Sequence, residues 1–157
     1  PDHPAQDVLE PIRFDPVLAL VAAYDERTWH PFDGIFVNDS AVLTFVADDG
    51  RRRGDDAPVL VAHSSAVLAA RHLDDPVRAL PMMLAALHAA IGADVDPVWA
   101  DVRRWGLAKP HATTGSLCHL EDDLGLCGDA WGRTSRIETA WLSGDGLGRR
   151  LAARLAR

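Results

Sequence analysis

Two cysteines, Cys118 and Cys127, are all that the 157 residues contain. That is too few for the disulfide framework of a small secreted domain, and both are expected to be buried thiols in a reducing compartment. With His119 between them they offer no C-x-x-C pair and no fourth ligand at finger-like spacing, so no metal site is expected. Long apolar runs are missing too. None approaches the ~18 residues of a membrane span, and the opening PDHPAQDVLEP lacks both the charged and the apolar region of a signal peptide. The chain therefore reads as cytoplasmic, with no membrane partner. Lysine occurs once, at Lys109, and the formal net charge is −7. The one basic run, Arg51-Arg52-Arg53, is flanked by Asp48, Asp49, Asp55 and Asp56, which leaves no stripe suited to nucleic acid. Neither an internal repeat nor a low-complexity tract is present.

What remains is 48% hydrophobic, enough for one real core. Residues 1–15, with Pro1, Pro4 and Pro11, read as a connector around a short turn, HPAQDVLE. VLALVAAY (17–24) reads as a buried strand, its continuous apolar character arguing against an edge facing water. GIFVND and AVLTFVADD follow as strands joined through Asn38-Asp39-Ser40. DGRRRGDDAP reads as a solvated loop. VLVAHSS is a strand running into a helix capped by Ser64 or Ser65. DDPVRALPMMLAALHAAIG carries an acidic cap, an early proline, an apolar majority and a closing Gly92, with Pro81 expected to kink or restart the helix and Met82-Met83 to pack in the core. PVWADVRRWG, SLCHLE and LGLCGD read as strands, Glu121-Asp122-Asp123 as the turn between the last two, and a final helix runs from about Ser135. Strands, two central helices, more strands and a terminal helix make an α+β pattern, a mostly antiparallel or mixed sheet with the two helices packed on it.

The segment LGLCGDAWGRTSRIETAWLSGDGLG poses a physical question. Gly144, Gly146 and Gly148 stand in a helical stretch where each glycine costs about 1 kcal/mol relative to alanine. Upstream, an apolar strand ends in Gly128-Asp129 just before the helix. A glycine there admits close approach of a ligand to the backbone, a carboxylate accepts hydrogen bonds from a diol, and the helix start offers free amides and a positive dipole end. Along the helix, Ile137, Ala140, Trp141, Gly144, Gly148, Leu151 and Leu155 share one apolar face with a groove of small residues.

These residues resemble a known family. CGDAWGRTSRIETAWLSGDGLGRRLA is similar to the C-terminal flavin-binding signature of the FAD-dependent amine oxidase superfamily. VWADVRRWGLAKP and VLVAHSSAVLAARHLDDPVRALPMMLAAL resemble its renalase-like branch in order and spacing, from about Phe32 onward. The resemblance implies a flavoprotein in two parts: residues 1–123 as a portion of the substrate-binding domain, and 124–157 as the last strand, turn and helix of the FAD-binding domain. It implies that Gly128 and Asp129 lie against the ribityl and pyrophosphate portion of FAD, and Arg136, Ile137 and Ala140 by the isoalloxazine. It further implies hydride transfer from an amine or a reduced nicotinamide, with reoxidation by oxygen. The helix glycines would then allow tight packing against the nucleotide-binding half.

The G-x-G-x-x-G fingerprint of that half is absent. A C-terminal piece of a longer protein, a split subunit and a chain that has lost its cofactor all meet that observation; the opening proline and lack of an initiator methionine favour the first. A piece alone would leave Ile137, Trp141 and Leu151 uncovered, so self-association is expected of it. Trp105, in RRWGLAKP, is either a substrate-pocket wall or a core filler. His63 beside Ser64 and Ser65 invites a hydrolase with Asp74 or Asp75, but there is no G-x-S-x-G elbow and capping accounts for the serines better. The alternative to an enzyme is a non-catalytic α+β binding or assembly module that does not bind FAD alone.

Overall fold

The computed structural model describes residues 5–93 and 95–156; Pro1 and Pro4 of the expected connector lie outside them. The chain divides into two compact units, Pro16–Ala108 and a second formed by Pro1–Asp15 with Lys109–Arg157. Its class is α+β with a mostly antiparallel sheet.

The larger unit is built on a five-stranded sheet in the order β2-β3-β4-β1-β5. The strands are β1 (Phe14–Ala23), β2 (Gly34–Phe36), β3 (Leu43–Asp48), β4 (Val59–Ser64) and β5 (Trp99–Pro110). β2–β3, β3–β4 and β4–β1 pair antiparallel, with Leu20 opposite Ala62 and Val46 opposite Ala62 fixing the register. Because strand side chains alternate, Leu18, Leu20 and Ala22 of β1, Leu60 and Ala62 of β4, and Val46 of β3 share one face, and all are fully buried. Onto that face pack Leu68 and Ala69 of α3 (Ala66–His72) and Met83 and Leu87 of α4 (Leu80–Ile91). Each fully buried leucine there contributes about 1.5–3 kcal/mol over exposure.

Local chemistry explains the boundaries. Asp39 at φ 62 turns the β2–β3 connection, and the Ser40 hydroxyl accepts from the amides of Val42 and Leu43 at 3.2 and 3.1 Å. The Ser65 hydroxyl caps α3 by accepting from the Leu68 amide at 3.1 Å. Pro76 opens a single 3-10 turn, Pro76–Ala79, after which α4 restarts with Pro81 in its first turn, where a missing N–H costs nothing. Gly92 closes α4 at φ 66.

Two expectations for the larger unit are corrected. Residues 49–53 of the expected solvated loop form a short helix, α2 (Asp49–Arg53), because buried Asp48 accepts from the Arg51 amide at its start and Gly54 closes it at φ 80. Of the two methionines only Met83 is in the core; Met82, one position round the helix, is exposed. β1 is an internal strand of the sheet, as its apolar run implies, with Val17, Val21 and Ala23, opposite the helix-covered side, half-buried.

Asp48 also ties the segment after β1 to the sheet. Arg27 reaches it through Nε at 2.9 Å and Nη2 at 3.0 Å, and Trp29 Nε1 donates to it at 3.0 Å. The outer Arg27 nitrogen takes Asp56 at 2.7 Å.

The second unit holds α1 (Ala5–Leu9), the two-stranded hairpin β6 (His119–Glu121) and β7 (Leu124–Leu126), and α5 (Ile137–Leu155). Asp122, at φ 45, makes the hairpin turn. Gly125 is required by packing: a Cβ there would meet Leu147 Cδ1 at 2.8 Å. Cys118 is buried with its sulfur 3.5 Å from Arg150 Nη1, but Cys127 is exposed, correcting the expectation of two buried thiols. No helix among the described residues is long and apolar enough to cross a membrane.

Candidate functional site: the strand-turn-helix corner and an open sheet face

The corner ahead of α5 is organised by four hydrogen bonds. Gly128 adopts φ 147, a backbone state that side chains disfavour, and its amide donates to the buried Ser143 hydroxyl at 2.9 Å. The Trp131 amide donates back to the Gly128 carbonyl at 3.1 Å, closing a tight turn. Beyond it, the Thr114 amide donates to the Ala130 carbonyl at 2.9 Å. Asp129 is half-buried and accepts from the Ser135 hydroxyl at 2.8 Å, which spans the loop and holds the carboxylate beside the start of α5. A Cβ at Gly128 would have only Trp131 Cδ1 as a neighbour, at 4.0 Å, so the space over this glycine is open.

Arg136 precedes α5 in an extended conformation, φ −148 and ψ 160, and no side chain caps the helix start. The first-turn amides therefore keep the unsatisfied, electropositive character of a helix N-terminus. Ile137 is 92% exposed and Ala140 is half-buried beside it. Gly128, Asp129, Arg136, Ile137 and Ala140 thus all belong to one unit and one short stretch of chain.

The helix glycines are not equivalent. A Cβ at Gly146 would meet Leu117 Cδ2 at 2.6 Å, so a side chain here would have to displace the exposed Leu117 side chain. At Gly144 and Gly148 a Cβ would meet nothing within 4 Å. α5 buries Ser143 and Leu147 against its own unit, while Trp141 (66%) and Leu155 (86%) are turned outward with Ile137.

Trp105 lies in the other unit, on β5, and is 60% exposed, so it is not a core filler. Ala100 and Val102 join the core, and strand alternation assigns Arg103 and Trp105 to the sheet face opposite the helices. On that face Phe36, Phe45 and His63 form a row across β2, β3 and β4, with ring centroids 5.4 and 5.6 Å apart. Phe36 is 80% exposed. Burial lowers the His63 pKa, and the charge of Arg52 lowers it further, which leaves the imidazole neutral near pH 7. Ser64, next in sequence, points to the opposite side, is fully buried, and accepts from the Leu18 amide at 2.9 Å while donating to the Ser65 carbonyl at 3.0 Å. Alternation along β4 separates the histidine from this serine, which removes the hydrolase arrangement. The His63–Phe45 pairing was not visible in the sequence, although strand period applied to VLVAHSS separates His63 from Ser64.

Among the described residues no group of three or more His, Cys, Asp or Glu is placed to hold a metal. No protein-family model matches the chain.

Proposed function

We propose that this chain is the C-terminal portion of a cytoplasmic FAD-dependent oxidoreductase of the amine oxidase type, similar to its renalase-like branch. Hydride from an amine or a reduced nicotinamide would pass to the flavin, which oxygen then reoxidises. The observation that carries the reading is the corner itself: an open glycine at φ 147, a half-buried carboxylate held by Ser135, and an uncapped helix start within a dozen residues. This combination fits a ligand that carries both hydroxyls and negative charge.

In this reading the flavin supplies the hydride acceptor, and the chain supplies its electrostatic setting. The Asp129 carboxylate would accept from the ribityl hydroxyls, and the open backbone at Gly128 would let the pyrophosphate portion approach the turn. The free first-turn amides after Arg136, from Ile137 up to but not including Ala140, whose N–H bonds the Arg136 carbonyl, would stabilise negative charge developing on the flavin ring. Trp105 and the Phe36–Phe45–His63 row offer an apolar wall for a flat small-molecule substrate, with one neutral imidazole able to accept a hydrogen bond. The glycine-rich pyrophosphate cradle would come from a nucleotide-binding half outside these residues.

A second reading, a non-enzymatic binding or assembly module, is favoured by the missing G-x-G-x-x-G and by the outward apolar side of α5. One experiment separates them: expression of the whole reading frame that contains this chain. The oxidoreductase gives a yellow protein whose flavin band bleaches on adding reduced nicotinamide or an amine and returns in air. A colourless product, with no flavin released on denaturation, establishes the module instead.

A further inference from the structure

α5 carries an outward stripe whose spacing is the same read from either end. Ile137, Trp141, Gly144, Gly148, Leu151 and Leu155 are separated by four, three, four, three and four residues, which keeps them on one side of the 19-residue helix. The sequence of types is aliphatic, aromatic, glycine, glycine, aliphatic, aliphatic, centred on Gly146. Ile137, Trp141 and Leu155 are exposed, and the Cβ positions at Gly144 and Gly148 are empty. Of the three glycines in α5 only Gly146 has a neighbour within its own chain that a Cβ would meet, yet Gly144 and Gly148 each cost the helix about 1 kcal/mol relative to alanine.

We infer that this stripe is the contact surface for a second copy of the chain, with the two α5 helices antiparallel about a two-fold axis at Gly146. In that register Ile137 lies opposite the partner's Leu155, Trp141 opposite the partner's Leu151, and Gly144 opposite the partner's Gly148. The paired glycines bring the backbones close at the axis, and each tryptophan covers the partner's leucine. Charge agrees with the same register. No charged residue interrupts the stripe, and along one edge Asp145 forms an ion pair with Arg149 at 2.9 Å. The two-fold axis sets each Asp145 opposite the partner's Leu147, two positions from the partner's Arg149 and equally from the partner's Asp145, so two acid–base approaches stand against one acid–acid approach. A parallel pairing would instead set like charges side by side. An isologous interface of this kind is what a self-complementary surface produces. The inference holds whether or not flavin binds. Because Ile137 belongs both to this surface and to the proposed flavin corner, self-pairing competes with docking of a nucleotide-binding half.

The test uses the full 157-residue chain. Sedimentation equilibrium from about 1 to 300 μM is expected to show the mass rising from 17.0 kDa toward twice that value, with a midpoint in the micromolar range set by one helix-sized interface. Gly144→Glu/Gly148→Glu keeps good helix formers in open positions, so it is expected to retain the circular dichroism spectrum and remain monomeric throughout. In a Cys118→Ser/Cys127→Ser background, Ile137→Cys protein mixed with Leu155→Cys protein is expected to form an intermolecular disulfide on oxidation. Neither protein alone should do so, since like positions lie about 27 Å apart along the antiparallel pair. A constant mass of 17.0 kDa, a dimer indifferent to the double glycine variant, or equal cross-linking in the single-variant samples each overturns the inference.

Discussion

Replacing Asp48 with alanine is expected to destabilise the protein by about 3 kcal/mol, the low end of the range for breaking a buried ion pair. Asp48 is completely buried and accepts from two Arg27 nitrogens, from Trp29 Nε1 and from the Arg51 amide. Its loss strands the Trp29 N–H in a buried setting, which costs about 1–3 kcal/mol. Arg27 is partly relieved because it keeps exposed Asp56 at 2.7 Å and can turn to water, so the upper end of the range is not reached. For a chain of this length about 3 kcal/mol corresponds to a fall of roughly 6–12 °C in Tm. Urea unfolding followed by circular dichroism measures it directly. The pH dependence carries a sign. Burial alone would raise the Asp48 pKa, but the bonds from Arg27, Trp29 and the Arg51 amide, with the Arg27 charge, outweigh it and hold the carboxyl below its ordinary 3.8. A depressed folded pKa gives stability that is fully present above the unfolded value and lost as pH falls from about 3.8 through the lower folded value. Arg27→Met leaves burial opposed only by the Trp29 and Arg51 bonds, so the stability that this carboxyl loses on acidification is expected to shrink. An Asp48→Ala protein within about 1 kcal/mol of the parent, or an Arg27→Met protein with an unchanged acid limb, would refute the network as an anchor.

The helix glycines separate by position: Gly144→Ala and Gly148→Ala should each raise stability by up to about 1 kcal/mol in the monomer, while Gly146→Ala should gain less because Leu117 must shift, all by urea midpoints. Tyr24, pushed up to about 12 by burial and then by Asp96, is the only tyrosine. Its ultraviolet titration should therefore lag a free phenol. Since the unfolded chain releases this proton first, stability should fall as pH rises from about 10 toward 12. Ser143→Ala removes the acceptor for the Gly128 amide and should cost about 1–2 kcal/mol, with amide exchange at Gly128 rising well above the global opening rate. Gly50→Ala places a Cβ 2.0 Å from the Ala57 carbonyl oxygen, a backbone clash expected to lower the urea midpoint by about 2 kcal/mol or more.

The elements most legible in the sequence were those written in local chemistry. Ser65 ahead of an apolar run, Pro76 and Pro81 marking a break and restart, Gly92 closing α4 and the acidic turn between β6 and β7 act through neighbours a few residues away. Features decided by distant partners were not legible. Residues 49–53 read as loop by composition, and only Arg27 and Trp29, about twenty residues upstream, reveal that Asp48 is a buried anchor and cap. Likewise the row from Phe36 through Phe45 to His63 depends on strand register, which periodicity alone does not give. At the corner, Gly128, Asp129 and the start of α5 were evident as a strand, turn and helix. The Ser135 and Ser143 hydroxyls that hold the corner were not, because nothing local marks either serine as a partner for a residue six or fifteen positions away.

Residues 128–140 are proposed as one side of a site for a flavin nucleotide. Amide chemical shifts of the 157-residue chain titrated with FAD to about millimolar concentration, the range of a partial site, test it most directly. The account predicts saturable shifts concentrated at Gly128, Asp129 and Ile137 to Ala140, which disappear on Asp129→Ala while the rest of the spectrum is preserved. Shifts scattered over both units, or none at these amides, would contradict it.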